Sequence, residues 1–338
     1  DAHDAINLKK INLISLYNLI VNFTTTLYLY GKKWKLNYTR IPFAFKAMTK
    51  YCEKKLKTQD YDIIFQTQTL FSASFNKPKK PYYLYVDYTY RYSPEIRRTW
   101  VKQLKKIPSV EWESLENSVF KKADKIFTYN SVVAKNLSEI YCIDPNKIKT
   151  VGVGVNLKDI KEIKRDYDFK TILFVTSEGS IKIQGLSTVI KAFEILNKKY
   201  PDTRLKIVGY KLKNDPENVE SFGFMPLEKF KKMYEQATIF VMPGLSGGPQ
   251  STLEAMSKKC ICIGGKNNAL LHEIIIDGET GFEVKPYDPQ ALAERMAYVI
   301  NNKNRIKKIG EAAYKNLIKK FTWQKVAENI HKEICKKS

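Results

Sequence analysis

Short apolar runs alternate with amphipathic stretches along the second half of this chain. The runs that predict strands are residues 171–175, 205–208, 239–242 and 261–263. The stretches that predict helices are residues 187–200, 227–235, 253–258, 271–276, 289–301, 304–319 and 322–335. Short buried strands that alternate with helices are typical of βαβ units, whose strands are parallel. The pattern therefore predicts an α/β fold with a parallel sheet.

The first half shows the same alternation after an initial helical region. Strands are predicted at residues 61–66, 82–86, 125–129 and 148–151. Helices are predicted at residues 43–57, 112–122 and 132–141, with Ser131 as the cap of the last one. A charged connector, residues 157–169, separates the halves. Because the chain is long enough for two α/β domains, we expect a first domain of residues 1–156, a second of residues 157–320, and a final helix, residues 321–338, that packs back toward the first domain.

Two glycine-rich loops follow neighbouring strands of the second half. The first, residues 244–250, lies between a predicted strand and a helix that Ser251 or Thr252 is expected to cap. The second starts at Gly264 and Gly265, where the next strand ends. In open α/β sheets, the loops at the carboxyl ends of the strands hold the ligand. Because each loop is predicted to lie beside a helix N-terminus, the pair suits an anion such as a diphosphate.

The chain carries a formal net charge of +23, and its basic residues are spread along both halves. This charge is compatible with a solvated lysine-rich surface, with attraction to an anionic membrane or substrate, and with nucleic-acid binding. Nucleic acid is disfavoured because the sequence has no zinc-finger spacing and no RNA-binding aromatic motif. We therefore expect no nucleic-acid partner, and we keep the other two interpretations open.

The cysteines and histidines argue against disulfides and against a metal site. None of the five cysteines forms a CxxC pair, and the three histidines form no cluster with them. Cys260 and Cys262 alternate in a predicted buried strand and are expected to be core residues. We therefore expect a reduced, cytoplasmic setting and no protein-built zinc site.

Residues 11–31 contain no charged side chain and are flanked by lysine pairs. That length is enough to span a bilayer, but the asparagines and threonines within the segment disfavour a span. A helix packed on the first domain is favoured, and a helix on the membrane surface is the second alternative. No signal-peptide cleavage pattern is present. We therefore expect a cytoplasmic protein, with a peripheral location on the cytoplasmic face of a membrane as a variant that the charge favours.

Several motifs of the second half resemble the C-terminal signature of family 4 glycosyltransferases, which have the GT-B fold. The specific motifs are the Leu-Glu-Ala-Met block at residues 253–256 and the Asp-Gly-Glu-Thr-Gly turn at residues 277–281. Weaker matches are Pro243, residues 247–249, residues 264–265, Glu273, Pro286, the strand and helix start at residues 123–131, the turn at residues 152–156, the strand at residues 205–209 and the helix start at residues 321–323. The resemblance covers roughly residue 61 to the C-terminus.

The resemblance implies two Rossmann-like domains that face each other across a cleft, with the active site in that cleft. It also implies transfer of a hexose from a nucleotide diphosphate sugar, UDP- or GDP-linked, with retention of the anomeric configuration. The acceptor would be a glycan, a lipid-linked molecule or a protein, and no protein-bound metal is expected. Peripheral contact with an anionic membrane would fit both a lipid-linked acceptor and the positive charge.

The resemblance also assigns roles to individual residues. Glu254 matches the glutamate that binds the ribose hydroxyls, a task that suits a carboxylate because it accepts two hydrogen bonds. Glu273 matches a glutamate that fixes the adjacent loop or touches the sugar, and Asp87 stands where a histidine near the reacting centre is common. Structural alternatives are a helix-dipole role for Glu254 and a turn role for Asp87. The loops expected to offer backbone N–H groups to sugar and phosphate contain Gly247, Gly248, Gly264, Gly265, Asn267 and Asn268.

The chain departs from the family pattern at positions that bear on catalysis. Ser177 stands where the family carries an arginine, and Gln184 where it carries a lysine; these cations neutralise the diphosphate. Lys182 is a candidate substitute, because lysine is a competent phosphate ligand, and its structural alternative is a solvated loop residue. Ser246 replaces a second glutamate near the transferred sugar, and no strand with a glycine-rich loop precedes the first helix. These departures motivate an alternative function, a catalytically weak GT-B pseudoenzyme that binds a nucleotide sugar or a partner.

Overall fold

The computed structural model of the chain describes residues 41–89, 110–157, 160, 162–168 and 170–336. The chain divides into two compact units, residues 1–150 and residues 151–338. Each unit contains one parallel sheet. The predictions for residues 11–31 and for the absent first strand lie outside the described residues.

The first unit is built on four strands. They are β1 Ile64–Thr67, β2 Tyr82–Val86, β3 Lys125–Thr128 and β4 Ile148–Thr150. They pair in parallel in the order β1-β2-β3-β4. The described helices of this unit are α1 Pro42–Leu56, α2 Val110–Lys122 and α3 Ser131–Glu139, and a short 3₁₀ turn, Pro145–Lys147, precedes β4. The α/β pattern predicted for this half is therefore confirmed over the residues that the structure describes.

The second unit is built on six strands. They are β5 Thr171–Val175, β6 Arg204–Val208, β7 Val219–Phe222, β8 Ile239–Met242, β9 Ile261–Gly265 and β10 Phe282–Val284. They pair in parallel in the order β10-β9-β8-β5-β6-β7. The helices described in this unit are α4 Ile181–Gln184, α5 Leu186–Lys199, α6 Leu227–Gln236, α7 Pro249–Ser257, α8 Pro289–Asn301, α9 Lys303–Lys320 and α10 Trp323–Ile334.

The core of the second unit lies on both faces of its sheet. All four residues of β8 are buried, and so are all five of β9. Helices α5 and α8 pack on each other, and α7 packs on α9. A strand that is covered on both faces can be apolar at every position, which explains why its sequence reads as a continuous apolar run. Cys260 and Cys262 are buried free thiols, as the alternation predicted.

Two helix starts differ from the sequence prediction. The cap of α3 is Asn130 rather than Ser131, because the Asn130 side chain accepts a hydrogen bond of 2.9 Å from the Val133 amide. Helix α7 begins at Pro249, and neither Ser251 nor Thr252 caps it. Proline suits the first helical position because its missing N–H would have no partner there.

The predicted helix at residues 271–276 is wrong, because this segment forms turns. The hydroxyl of Thr280 accepts from the Ile276 amide (2.9 Å) and donates to the Ile274 carbonyl (3.0 Å). These bonds satisfy main-chain groups that a helix would have paired internally. The strands β7 and β10 and the short helix α4 were not predicted, because elements of three or four residues give little periodicity.

The described residues of the charged connector pack on the rest of the second unit through polar contacts that are partly buried. The ammonium of Lys259, whose side chain is 3% exposed, lies 3.1 Å from Glu162 and 2.7 Å from Glu311. The Tyr167 hydroxyl donates to the Lys259 carbonyl (2.9 Å). The Arg165 guanidinium donates to two further main-chain carbonyls at 3.0 and 2.9 Å. The connector is therefore part of the second unit's packing.

The last helix is fixed at its first turn. Thr322 caps α10, and the indole N–H of Trp323 donates to Asn156 (2.8 Å). A Cβ added to Gly154 would collide with Trp323, so these two segments are in van der Waals contact. Among the described helices, none combines the length and the apolar character that crossing a bilayer requires.

Candidate functional site

The carboxyl ends of the strands in the second sheet define the candidate site. Along the chain, this sheet grows from β5 to β6 and β7 and then restarts on the other side of β5 with β8. The strand order therefore reverses between β5 and β8, and open α/β sheets bind ligands in the crevice at such a reversal. The segments that follow these two strands are Thr176 with Ser177, and residues 243–248.

The loop after β8 packs so closely on its neighbours that side chains have no room. A Cβ on Gly244 would collide with the main chain at Ile183. A Cβ on Gly265, the last residue of β9, would come within 2.5 Å of the Gly244 carbonyl oxygen. Gly247 and Gly248 have φ of +95° and +84°, in the left-handed region that favours glycine. At these four glycines, close contacts or a left-handed backbone therefore disfavour any side chain.

The side chain of Asn268 holds this loop through hydrogen bonds to its main chain. Its side chain is 1% exposed, and its amide nitrogen donates to the carbonyls of Gly244 (3.3 Å) and Gly247 (3.2 Å). Its carbonyl oxygen accepts from the Leu270 amide (3.2 Å). Because these bonds occupy the side chain, the geometry gives Asn268 a role in shaping the loop.

Gln184 joins the two sides of the crevice. Its Oε1 accepts a hydrogen bond of 2.6 Å from the Thr176 hydroxyl. Its Nε2 lies against Gly247, where an added Cβ would be 2.6 Å away. Tyr287 supports the same corner, because its hydroxyl donates to the Ile183 carbonyl (2.9 Å) and accepts from the Leu245 amide (3.4 Å). The crevice between β5 and β8 is thus bridged by a neutral amide.

Glu254 lies on α7, the helix that follows the loop. It is 8% exposed, and its Oε2 accepts a hydrogen bond of 2.9 Å from the hydroxyl of Tyr234 on α6. Burial raises the pKa of Glu254, and the Tyr234 hydrogen bond opposes part of that rise. Among the described residues, Tyr234 is the one side chain that donates to this carboxylate. The site therefore holds a buried acid with one oxygen engaged.

The other candidates around the crevice are spread over its rim. Ser177 is exposed and donates to the Ser180 hydroxyl (3.2 Å), and Lys182 is exposed and forms no ion pair with any residue that the structure describes. Ser246 is 9% exposed, within the loop after β8. Asn267 is exposed and has φ of +66°. The side chains around the crevice are thus largely neutral, apart from Glu254 and the exposed Lys182.

Gly264 and Glu273 belong to the segment around the end of β9. A Cβ on Gly264 would lie 2.7 Å from the Ile275 side chain, so this residue packs on the turns at residues 271–274. Glu273 is half-buried within those turns. The second glycine pair thus ends a strand and leads into turns, and the expected helix N-terminus is absent at this point.

Asp87 lies in the first unit, directly after β2, and is half-buried. It contributes with burial to raising the pKa of Tyr129, and the Tyr129 ring lies 4.7 Å from that of Tyr85 between centroids. Asp87 therefore belongs to an acid and tyrosine cluster at the carboxyl ends of β2 and β3. In the part of the chain that the structure describes, no three His, Cys, Asp or Glu side chains are grouped as metal ligands.

The structure adds residues that the sequence analysis did not assign. The role of Tyr234 was not predicted, because an aromatic residue in an amphipathic helix is normally a core residue. The role of Tyr287 was not predicted, because no local sequence pattern indicates which residues it contacts. Gln184 was noted only for the lysine that it replaces. A signal for Tyr287 does exist in its φ of +58°, but such a value is visible only in the folded chain.

Residues 157–316 match the family described as Glycosyl transferases group 1. An uncharacterized glycosyltransferase of Methanocaldococcus jannaschii is 29% identical over 219 residues, which cover 62% of this chain and 59% of the relative. The chain has relatives that are named glycosyltransferases, as the motifs implied. Membership of family 4 and retention of configuration stay predictions.

Solved structures support the fold at low sequence identity. A glycosyltransferase from Rickettsia africae has a TM-score of 0.64 at 20% identity, covering 88% of this chain and 83% of its own. The Anabaena protein HepE has a TM-score of 0.64 at 14% identity, covering 91% of this chain and 84% of its own. The expected GT-B fold with two Rossmann-like domains is confirmed by these similarities.

The packing of the glycine loop can be tested at Gly265. Gly265→Ala should destabilise the chain by about 1–3 kcal/mol, because the new methyl group overlaps the Pro243 and Gly244 carbonyls. The matched control is Gly179→Ala, where an added Cβ meets nothing within 4 Å. Denaturant unfolding of the two variants measures the difference. Equal unfolding midpoints would show that the loop is not packed on β9.

Proposed function

We propose that this chain is a retaining glycosyltransferase that moves a hexose from a UDP- or GDP-sugar to a glycan, a lipid-linked acceptor or a protein. The observation that carries the proposal is the buried Glu254 carboxylate beside a glycine loop at the sheet's switch point. Its context is the match of residues 157–316 to Glycosyl transferases group 1.

The Glu254 carboxylate suits a vicinal diol. One oxygen, Oε2, accepts from Tyr234, and Oε1 keeps its two lone-pair directions for two ribose hydroxyls. A charged acceptor forms shorter and stronger hydrogen bonds than a neutral one. This geometry supports the assignment of Glu254 to the ribose of the donor nucleotide.

The glycine loop suits the diphosphate. Residues 247–248 immediately precede α7, so their N–H groups and the positive end of a nine-residue helix lie together. No metal held by the protein is required in this proposal, since oriented dipoles stabilise the charge that develops on the leaving diphosphate. HepE, whose fold is similar, was solved in complex with UDP and glucose, which supports a nucleotide sugar as the donor here.

Replacing the carboxylate tests the ribose contact. Glu254→Gln keeps the shape of the side chain but removes its charge, so UDP or GDP should bind more weakly by about 1–3 kcal/mol. Titration calorimetry with UDP, GDP and ADP measures the loss and also identifies the base. The exposed Glu220→Gln serves as the control and should bind like the parent chain. Unchanged affinity in Glu254→Gln would remove this residue from the site.

A second candidate function follows from the neutral crevice. Gln184 and Ser177 bring no positive charge to the place where a diphosphate would leave, and Ser246 brings no carboxylate to the sugar. This observation favours a catalytically weak GT-B pseudoenzyme that binds a nucleotide sugar or a partner. Donor hydrolysis and transfer assays separate it from the first proposal, because a pseudoenzyme binds the donor without turnover.

Lys182 is the cation that we propose as the replacement. Lys182→Ala should weaken UDP much more than uridine, because only UDP carries the diphosphate. Lys191→Ala, an exposed lysine on α5, is the matched control and should leave both affinities unchanged. If Lys182→Ala weakens the two ligands equally, or neither, the loop N–H groups and the helix N-terminus bind the diphosphate alone.

We also propose that the first unit contacts anionic lipid, as a lipid-linked acceptor would require. Lys50 and Lys54 on α1, and Lys57 directly after its last residue, are exposed and form no ion pair with any described residue. Tyr51 on the same helix is 42% exposed, and Phe75, whose amide donates to Glu53 of α1, is 45% exposed. Lysines beside exposed aromatic rings are typical of surfaces that bind the membrane interface.

Vesicle binding tests this surface. Each lysine near an anionic bilayer contributes on the order of 1 kcal/mol. Binding should fall steeply as salt rises, because the Debye length shrinks from about 30 Å at 0.01 M to about 8 Å at 0.15 M. The triple variant Lys50→Glu, Lys54→Glu, Lys57→Glu should lose binding to phosphatidylserine vesicles in sedimentation assays. The same change at Lys307, Lys308 and Lys315 of α9 is the control; equal losses would mean that the net charge, not this face, attracts the membrane.

A further inference from the structure

We propose that Tyr234 is a positioning residue for the reaction proposed above, because its hydroxyl holds the Glu254 carboxylate ready for the ribose diol. The inference rests on the proposed function, since it gives Tyr234 a task only if Glu254 binds the nucleotide. The distance from the Tyr234 hydroxyl to Glu254 Oε2 is 2.9 Å, and both residues are more than nine-tenths buried.

Tyr234 is itself held in place by contacts that do not involve its hydroxyl. Its ring centroid lies 5.0 Å from that of Phe230 and 6.2 Å from that of Phe240. Its main-chain carbonyl accepts from the Arg165 guanidinium (3.0 Å) and from the Cys260 thiol (3.2 Å). The hydroxyl is therefore presented to Glu254 from a rigid ring and a fixed backbone.

A phenylalanine would satisfy the packing at this position as well as tyrosine does. Burying a hydroxyl is unfavourable unless it is hydrogen-bonded, and the bond to Glu254 is the one that the Tyr234 hydroxyl makes among the described residues. The hydroxyl thus has a single visible use, which is to orient and stabilise a carboxylate. Without this donor, Glu254 would lose the one neighbour, among the residues that the structure describes, that favours its ionised form.

Among the described side chains around the pair, Tyr234 is the one that opposes the effect of burial on the pKa of Glu254. The thiols of Cys260, which precedes β9, and of Cys262 on β9 both act on the Tyr234 hydroxyl electrostatically, and β8 carries no titratable side chain. On α9, Glu311 is paired with Lys259, whose ammonium also lies 5.3 Å from the centre of the Tyr314 ring. Burial raises the pKa of Glu254, and the Tyr234 bond lowers it. Removing the bond should therefore raise the pKa of Glu254 further.

The test compares two ligands that differ only in the ribose diol. Affinities of the full chain for UDP and for 2′,3′-dideoxy-UDP are measured by calorimetry from about pH 5 to about pH 8.5, which brackets a glutamate pKa raised by burial. GDP and its dideoxy analogue replace them if GDP binds more tightly. Because both ligands carry the same diphosphate, the ratio of their affinities cancels the phosphate titration.

In the parent chain the preference for the diol should fall as pH drops through the Glu254 pKa. In Tyr234→Phe this fall should occur at a higher pH, so that between the two midpoints the variant's preference for the diol is smaller than that of the parent chain. Adding Tyr234→Phe to Glu254→Gln should change nothing, because the hydroxyl acts through the carboxylate. Tyr167→Phe, which removes a buried hydroxyl bonded to the Lys259 carbonyl, is the control and should keep the parent profile.

The outcomes separate this inference from the proposed function. If Tyr234→Phe weakens both ligands by one factor at every pH, or changes nothing while Glu254→Gln removes the diol preference, then Tyr234 only packs and the proposed function stands. If Glu254→Gln leaves the diol preference unchanged, then Glu254 is not the ribose ligand, and both proposals are overturned together.

Discussion

The candidate site depends on three close contacts of the loop after β8, two of them with main chain and one with the side chain of Gln184. Gly244 lies against Ile183, Gly265 lies against Gly244, and Gly247 lies against the Gln184 amide. These contacts join α4 and the end of β9 to the loop after β8, and Gly248 of the same loop is the residue that precedes α7. Glu254 lies six residues after Gly248, so its position at the edge of the sheet depends on the packing of this loop. The side-chain amide of Asn268 donates hydrogen bonds to the Gly244 and Gly247 carbonyls of the same loop.

The electrostatic character of the site follows from that architecture. A crevice bridged by Gln184 and rimmed by Ser177 offers hydrogen-bond donors rather than charge, and the cation Lys182 remains at the exposed rim. Such a site depends on oriented dipoles, which are fixed before the ligand arrives and need no reorganisation. The same arrangement supports both candidate functions. The two functions differ in whether this neutral crevice stabilises the negative charge on the leaving diphosphate enough for turnover. The fold alone does not determine that, because the stabilisation required depends on the reaction.

Much of the fold could be predicted from the sequence, because long apolar runs and amphipathic helices leave strong periodic signals. The strand β8 and the helix α8 were predicted at their observed bounds. The sequence could also select Glu254 and the two glycine pairs as candidates, since they lie in compact motifs, and their roles stay predictions. It could not reveal the Tyr234 bond to Glu254, because residues twenty positions apart meet only through tertiary packing. The helix prediction for residues 271–276 was wrong for a related reason, because the Thr280 hydroxyl that bonds their main chain lies outside the segment.

The burial of Glu254 also has a meaning for stability. Since its pKa is raised in the folded chain, the ionised group destabilises the fold above that pKa, and the destabilisation disappears as pH falls through it. A neutral residue of similar size at position 254 would raise the free energy of unfolding but would remove a charged hydrogen-bond acceptor from the crevice.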